Sequence, residues 1–182
     1  MRAIVTVFGA SSAKPGSREY HEAERLGRLL AEAGFDICNG GYSGTMEASA
    51  RGATQAGGAA IGITNAVFDP RSPNRYITDE RKAPDFFERL RRLLDLGAAY
   101  VCLRGSVGTL TEFSLAWTLL QTGALAPRPL ICVGPAWRAV LDAYRESLPV
   151  RAKDFALITL VDTADEAVAI ILERLGSPAR GG

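Results

Sequence analysis

Histidine, cysteine and lysine are all scarce in this chain. His21 is the only histidine, the cysteines number 3, and no two of them form a Cys-x-x-Cys pair. A zinc centre, or a triad that needs a histidine base, has almost nothing to be built from, so no metal is expected. The only lysines are Lys14, Lys82 and Lys153. Pyridoxal phosphate chemistry needs a buried lysine beside the cofactor, and Lys14 and Lys82 fall in loops, so no such cofactor is expected either. No apolar run reaches membrane-spanning length. Met1 to Val5 reads as the start of a strand and not as a signal peptide, because glycine interrupts the apolar run at once. A net charge of +1 gives no general affinity for nucleic acid or an acidic membrane. Cys38, Cys102 and Cys132 each lie in or beside an apolar, strand-like run, which suits buried, reduced thiols in a cytoplasmic protein.

What the chain does have is alternation. Apolar, β-branched runs at 4–8, 35–38, 59–64, 98–103, 129–133 and 157–161 read as strands. Between them lie amphipathic stretches at 19–33, about 45–56, 85–96, 113–120, 137–146 and 164–175. Strand–helix alternation predicts an α/β, Rossmann-like, doubly wound and mostly parallel sheet of about six strands, with helices on both faces. At 182 residues this is one domain, residues 1–176, with 177–182 as a flexible tail. Residues 65–83 are long and irregular, as lids and binding loops are.

Three turns of small residues follow strands: Gly9 to Ser12, Gly40 to Gly44 and Gly105 to Thr109. In such sheets ligands bind beyond the carboxyl ends of the strands, where strand order reverses. If the first and fourth strands are neighbours there, the first and third turns share a crevice. The third turn opens a helix, whose free N–H groups and positive dipole end make an anion site, with Glu112 one turn further on. Thr109-x-x-Glu112 is also a capping box, with Thr109 as cap and Glu112 reaching back to it.

Val7 to Ser12, Gly40 to Ala48 and Arg104 to Glu112 together resemble the "Lonely guy" family, with the same motif order and spacing over roughly residues 4–175. Those proteins are Rossmann-like dimers that hydrolyse the N-glycosidic bond of nucleoside 5′-monophosphates to free base and ribose 5-phosphate. The resemblance implies that Glu112 is catalytic. It further implies that Gly105, Ser106, Gly108 and Thr109 hold the 5′-phosphate, with Arg104 near it, and that Ser11, Gly40, Gly41 and Gly44 line the crevice. The family arginine maps by spacing onto Arg89 rather than Arg81, whose following Lys82 makes a tempting match; the resemblance makes Arg89 catalytic with Glu112, fixing the carboxylate or the ribose or helping the departing base, and the alternative for Arg89 is a solvated helix face. Met46 and Glu47 either shape the base pocket or, for Met46, belong to the core.

Two letters depart from the family pattern Pro-Gly-Gly-x-Gly-Thr-x-x-Glu: Arg104 replaces the proline and Ser106 the second glycine. Serine there either hampers a backbone that only glycine adopts easily or adds a phosphate contact. These departures motivate an alternative function, a non-catalytic nucleotide- or cofactor-binding sensor or carrier on the same fold. The expected partners are a nucleoside monophosphate and a second copy of the chain. The expected surfaces for that homodimer are the small-residue second helix and the helix after Glu112, through Trp117, Leu119 and Leu120.

Overall fold

A computed structural model describes residues 2–176; the tail expected at 177–182 lies outside the described residues. The elements in order are β1 (Ile4–Phe8), α1 (Arg18–Glu32), β2 (Asp36–Asn39), α2 (Thr45–Gln55), β3 (Ala60–Gly62), β4 (Asp79–Glu80), α3 (Phe86–Leu96), β5 (Ala99–Cys102), α4 (Val107–Thr122), β6 (Leu130–Val133), α5 (Pro135–Ser147), α6 (Ala152–Phe155), β7 (Ile158–Val161) and α7 (Ala164–Leu175). The sheet has seven strands in the order β4-β3-β2-β1-β5-β6-β7. Every strand pairing is parallel.

The count therefore rises from six strands to seven. The additional strand is the two-residue β4, inside the stretch read as irregular. Its letters are Asp-Glu, without a β-branched or apolar signature, and backbone pairing with Ile61 and Gly62 alone places it at the sheet edge. A 3-10 turn at Ala66–Phe68, started by Asn65 accepting from the Val67 N–H, also interrupts that stretch.

The strand period sorts side chains between two layers. Val5, Val7, Ile37, Val101 and Ile131 face a core closed by α1, α2 and α7. Phe8, Cys38, Tyr100, Cys102, Leu130 and Cys132 face the opposite core, which contains Leu93 and Leu94 of α3, Phe113 and Trp117 of α4, and Trp137 of α5. The anticipated burial of all three cysteines is observed, and all are free.

α1 and α2 pack with almost no separation. A Cβ on Gly27 would meet the Ser49 carbonyl, and one on Gly52 would meet the Glu24 carbonyl. Ala48, Ala50 and Ala53 are fully buried in the same layer. The small residues of α2, expected at a dimer surface, are thus occupied inside the chain. Trp117 is likewise covered, by Phe113, Tyr144 and Phe155, and its indole N–H donates to the Asp154 carbonyl; Leu119 and Leu120 are half-buried.

The C-terminal end of α3 is tied to the sheet. Thr6 Oγ1 donates to the Leu93 carbonyl at 2.8 Å and Tyr100 Oη to the Leu94 carbonyl at 2.6 Å. Arg128 donates to the Gly97 carbonyl, placing a cation at the negative end of the helix dipole. With that end of α3 fastened, its first turn is held over the carboxyl edge of the sheet.

Gly52→Ala tests the α1–α2 contact. In an exposed helix this change is worth about 1 kcal/mol of added stability from propensity alone. Here the added methyl must push two backbones apart, so urea unfolding is expected to show a net loss of roughly 1–3 kcal/mol with an unchanged m-value. A stabilised variant would mean that the helices are not in contact.

Candidate active site

β1 and β5 are paired, with Phe8 opposite Cys102, and the strand order reverses between them. The turns after these strands therefore open on one crevice, as anticipated for neighbouring first and fourth apolar strands. The Gly40–Gly44 turn closes its side. Ser43 Oγ donates to the Ser11 carbonyl, and the Thr45 N–H to the Ala10 carbonyl at 2.9 Å. Gly44, at φ +75°, lies so close to the Ala10 carbonyl and Ser11 that no side chain fits there. Asn39 organises the same turn from beneath: its Oδ1 accepts from the Gly41 N–H at 2.8 Å, and its Nδ2 donates to the Met46 carbonyl at 2.9 Å.

The resulting cavity, about 190 Å³, is lined by Glu112 and Arg89 together with Ser11, Gly40, Ser106, Gly108 and Thr109. Of the residues expected there, Gly41, Gly44, Arg104 and Gly105 are not part of the lining. Gly41 and Gly44 shape the turns, and Gly105 lies directly against the Thr109 side chain. Arg104 points away and pairs with Glu19 at 2.7 Å. Arg81 is remote as well, paired with Asp79 of β4 at 2.7 Å. Met46 lines the cavity, whereas Glu47 does not.

The capping-box alternative fails on register. α4 begins at Val107, with Ser106 as its N-cap, so Thr109 is already inside the first turn. Residues 109, 112, 113, 116 and 117 form its buried stripe, and Glu112 belongs to that stripe rather than to the helix start. No side chain caps α4, and the Thr109 hydroxyl has no protein partner among the described residues. The start of a 16-residue helix thus presents N–H groups and a hydroxyl to the crevice. Ser106 adopts φ −109°, an ordinary extended conformation, so serine costs nothing where the family pattern has glycine.

Arg89 sits on the first turn of α3, and both it and Glu112 are buried. Its Nε donates to the Ile63 carbonyl at 2.9 Å, beyond the end of β3, and its Nη1 to Glu112 Oε1 at 3.4 Å. Its other Nη lies where a Cβ on Gly40 would be, so Gly40 makes room for the guanidinium. The solvated-helix-face alternative for Arg89 is therefore excluded. Burial pushes the Glu112 carboxyl up to about 7; Arg89 pulls in the opposite direction but does not prevail. A carboxyl that changes charge near neutral pH can hold or release a proton as a reaction demands.

The rim contains residues that no sequence motif marks as a site: Tyr42, Phe68, Arg71 and Phe86. Tyr42 and Phe68 meet edge to face at 5.5 Å, and the Arg71 guanidinium lies 5.6 Å from the Tyr42 ring centre. Asn74 latches the segment carrying Phe68 and Arg71 to the glycine turn, donating to the Gly41 and Tyr42 carbonyls. The length of the 65–83 stretch was the one signal for Phe68 and Arg71; nothing in its letters distinguished them from solvated loop residues.

Residues 2–125 match the SLOG cluster4 family, and the chain belongs to it. The motif resemblance to the Lonely guy proteins agrees with curated relatives. A cytokinin riboside 5′-monophosphate phosphoribohydrolase of Rhodococcoides fascians is 31% identical over 121 residues, 64% of this chain and 61% of that protein. The chain thus spans about three-fifths of that relative's length. A protein of the same name from Mycobacterium tuberculosis is 28% identical over 90% of this chain and 91% of its own length. Among solved structures, the molybdenum cofactor binding protein of Rippkaea orientalis superposes with TM-score 0.77 at 20% identity, covering 96% of this chain and 98% of its own. At that identity the likeness is one of fold.

Because burial raises Glu112 above its unfolded value of 4.5, folding favours its protonated form. The linked stability is present below about 4.5 and is lost as pH rises toward about 7. Relative to Glu112→Gln, the wild-type protein is therefore expected to lose stability on the order of 3 kcal/mol between pH 4 and pH 8. Denaturant titration at both pH values measures the difference, and a constant gap would show that Glu112 titrates normally.

Proposed function

We propose that this protein hydrolyses the N-glycosidic bond of a nucleoside 5′-monophosphate, releasing free base and ribose 5-phosphate. The observation that carries the reading is the buried Glu112 carboxyl, held beside Arg89 and beneath the uncapped start of α4. The phosphate takes the N–H groups of the first turn of α4 and the Thr109 hydroxyl. That anchor directs the ribose toward Glu112 and the base toward the rim of Tyr42, Phe68 and Phe86, whose aromatic faces suit a planar ring.

In the reaction, the C1′–N bond breaks with its electron pair leaving on the base, and positive charge develops on the ribose. Glu112, as carboxylate, stabilises that charge and takes a proton from the water that adds to C1′. The departing nitrogen gains a proton, which balances the hydrolysis. Arg89 holds the carboxylate in place and favours its ionised form. Relatives named for this chemistry in Rhodococcoides fascians and Mycobacterium tuberculosis, and the Escherichia coli pyrimidine/purine nucleotide 5′-monophosphate nucleosidases at 27% identity, support the reading.

The non-catalytic alternative loses one of its motives, because Ser106 does not strain the turn. The other, Arg104, stands outside the Glu112 cavity. A protein that retains nucleotide without turning it over would restore that alternative.

Incubation with AMP and chromatography of the products is the test. Free adenine is expected, with Glu112→Gln lowering kcat/KM by roughly 10²–10⁴-fold while AMP still binds. The acid limb of kcat/KM is expected near 7, where Glu112 titrates, instead of in the ordinary carboxylate range. Absence of base release from AMP and from cytokinin-type nucleotides would remove the proposal.

A further inference from the structure

On the other side of Ser106 from Glu112 lies a second cavity, about 390 Å³, to which the reaction above assigns no task. Lys14, Ser12 and Ser17 of the β1–α1 loop form one wall, and Arg104, Gly105 and Ser106 form the other. The two cavities abut, since Ser106 lines both and neighbouring Ser11 and Ser12 line one each. The start of α4 is therefore the boundary between them.

The lining of the second cavity carries two cations, Lys14 and Arg104, against one carboxylate, Glu19. Lys14 is exposed and has no ion-pair partner among the described residues. Arg104 gives one Nη to Glu19 at 2.7 Å, and its side chain is 69% exposed, so the rest of the guanidinium fork faces solvent. An exposed pair of this kind contributes little and is readily exchanged for a more highly charged acceptor. A monophosphate seated at the start of α4 leaves Lys14, the remaining donors of Arg104 and the Ser12 hydroxyl without an anion.

We infer that this cavity is a second phosphate subsite, and that the site accepts a nucleotide carrying a pyrophosphate at its 5′ end, a nucleoside 5′-diphosphate. The inference rests on the proposed function for the nucleoside end of the ligand. The first phosphoryl group occupies the helix start, and the second passes Ser106 to meet Lys14 as a point charge and Arg104 as a planar fork. The same geometry gives a role to the Pro-to-Arg departure at 104, which the Glu112 cavity alone does not.

Calorimetric titration of the full chain with ADP, AMP, inorganic pyrophosphate and orthophosphate tests this. ADP is expected to bind about tenfold more tightly than AMP, and pyrophosphate about tenfold more tightly than orthophosphate, with Lys14→Ala bringing both ratios to within about twofold of unity. Lys14 is an exposed loop residue, so its replacement does not threaten folding. Equal affinities in the wild-type protein, or a preference that Lys14→Ala leaves intact, would overturn the subsite. The inorganic pair keeps the two readings apart. If AMP is cleaved but pyrophosphate shows no advantage, the subsite falls and the hydrolase stands. If no base is released and a Lys14-dependent preference for pyrophosphate persists, the hydrolase falls and the subsite stands.

Discussion

A guanidinium away from bulk water needs acceptors and room, and three separate parts of the chain supply them to Arg89. The carbonyl after β3 takes one donor, the Glu112 carboxyl on α4 takes another, and the bare α-carbon of Gly40 leaves room for the third nitrogen. Neither acceptor can move independently without leaving a buried charge short of a partner, and losing the Glu112 partner of such a pair costs several kcal/mol. The contact with Glu112 is long, at 3.4 Å. Arg89 therefore steadies the carboxylate without fully neutralising it, in keeping with burial dominating the Glu112 titration.

That constraint explains features far from the pocket. Arg89 can be so placed only if α3 is, and the opposite end of α3 is fastened by Thr6, Tyr100 and Arg128. Thr6 and Tyr100 are adjacent in register on β1 and β5, the pair at which strand order reverses. The strands that define the crevice thus also position the helix that supplies its cation. On the other flank, Trp137 of α5 donates to the Leu103 carbonyl at 3.0 Å and steadies the chain just before the turn into α4.

The fold was legible because its signals are periodic. Alternating strands such as Val5-Thr6-Val7-Phe8, and the pair Leu93 and Leu94 on α3, carry their layer assignment in their spacing. β4 was not legible, since Asp79 and Glu80 join the sheet through backbone alone. Glu112 and Arg89 could be singled out by motif and spacing, but their burial against each other could not, because it depends on where α4 begins. Moving the N-cap from Thr109 to Ser106 turns Glu112 from part of a capping box into an inward-facing group. Tyr42, Phe68 and Arg71 meet only through tertiary contacts across the 65–83 segment, which no local pattern encodes.

The cysteines offer a separate use of the same architecture. Cys38, Cys102 and Cys132 sit on β2, β5 and β6, all turned toward one layer, and Cys102 lies directly opposite Cys132. Burial drives the Cys38 thiol up to about 12 and that of Cys102 well above its ordinary range, so neither offers a thiolate in the closed sheet. Alkylation of each sulfur must then wait for its strand to open, and the rate reads how often that happens. The molecule thus carries native clocks for local opening on both sides of β1, at the strands that frame the crevice, with no label introduced and no residue of the pocket altered.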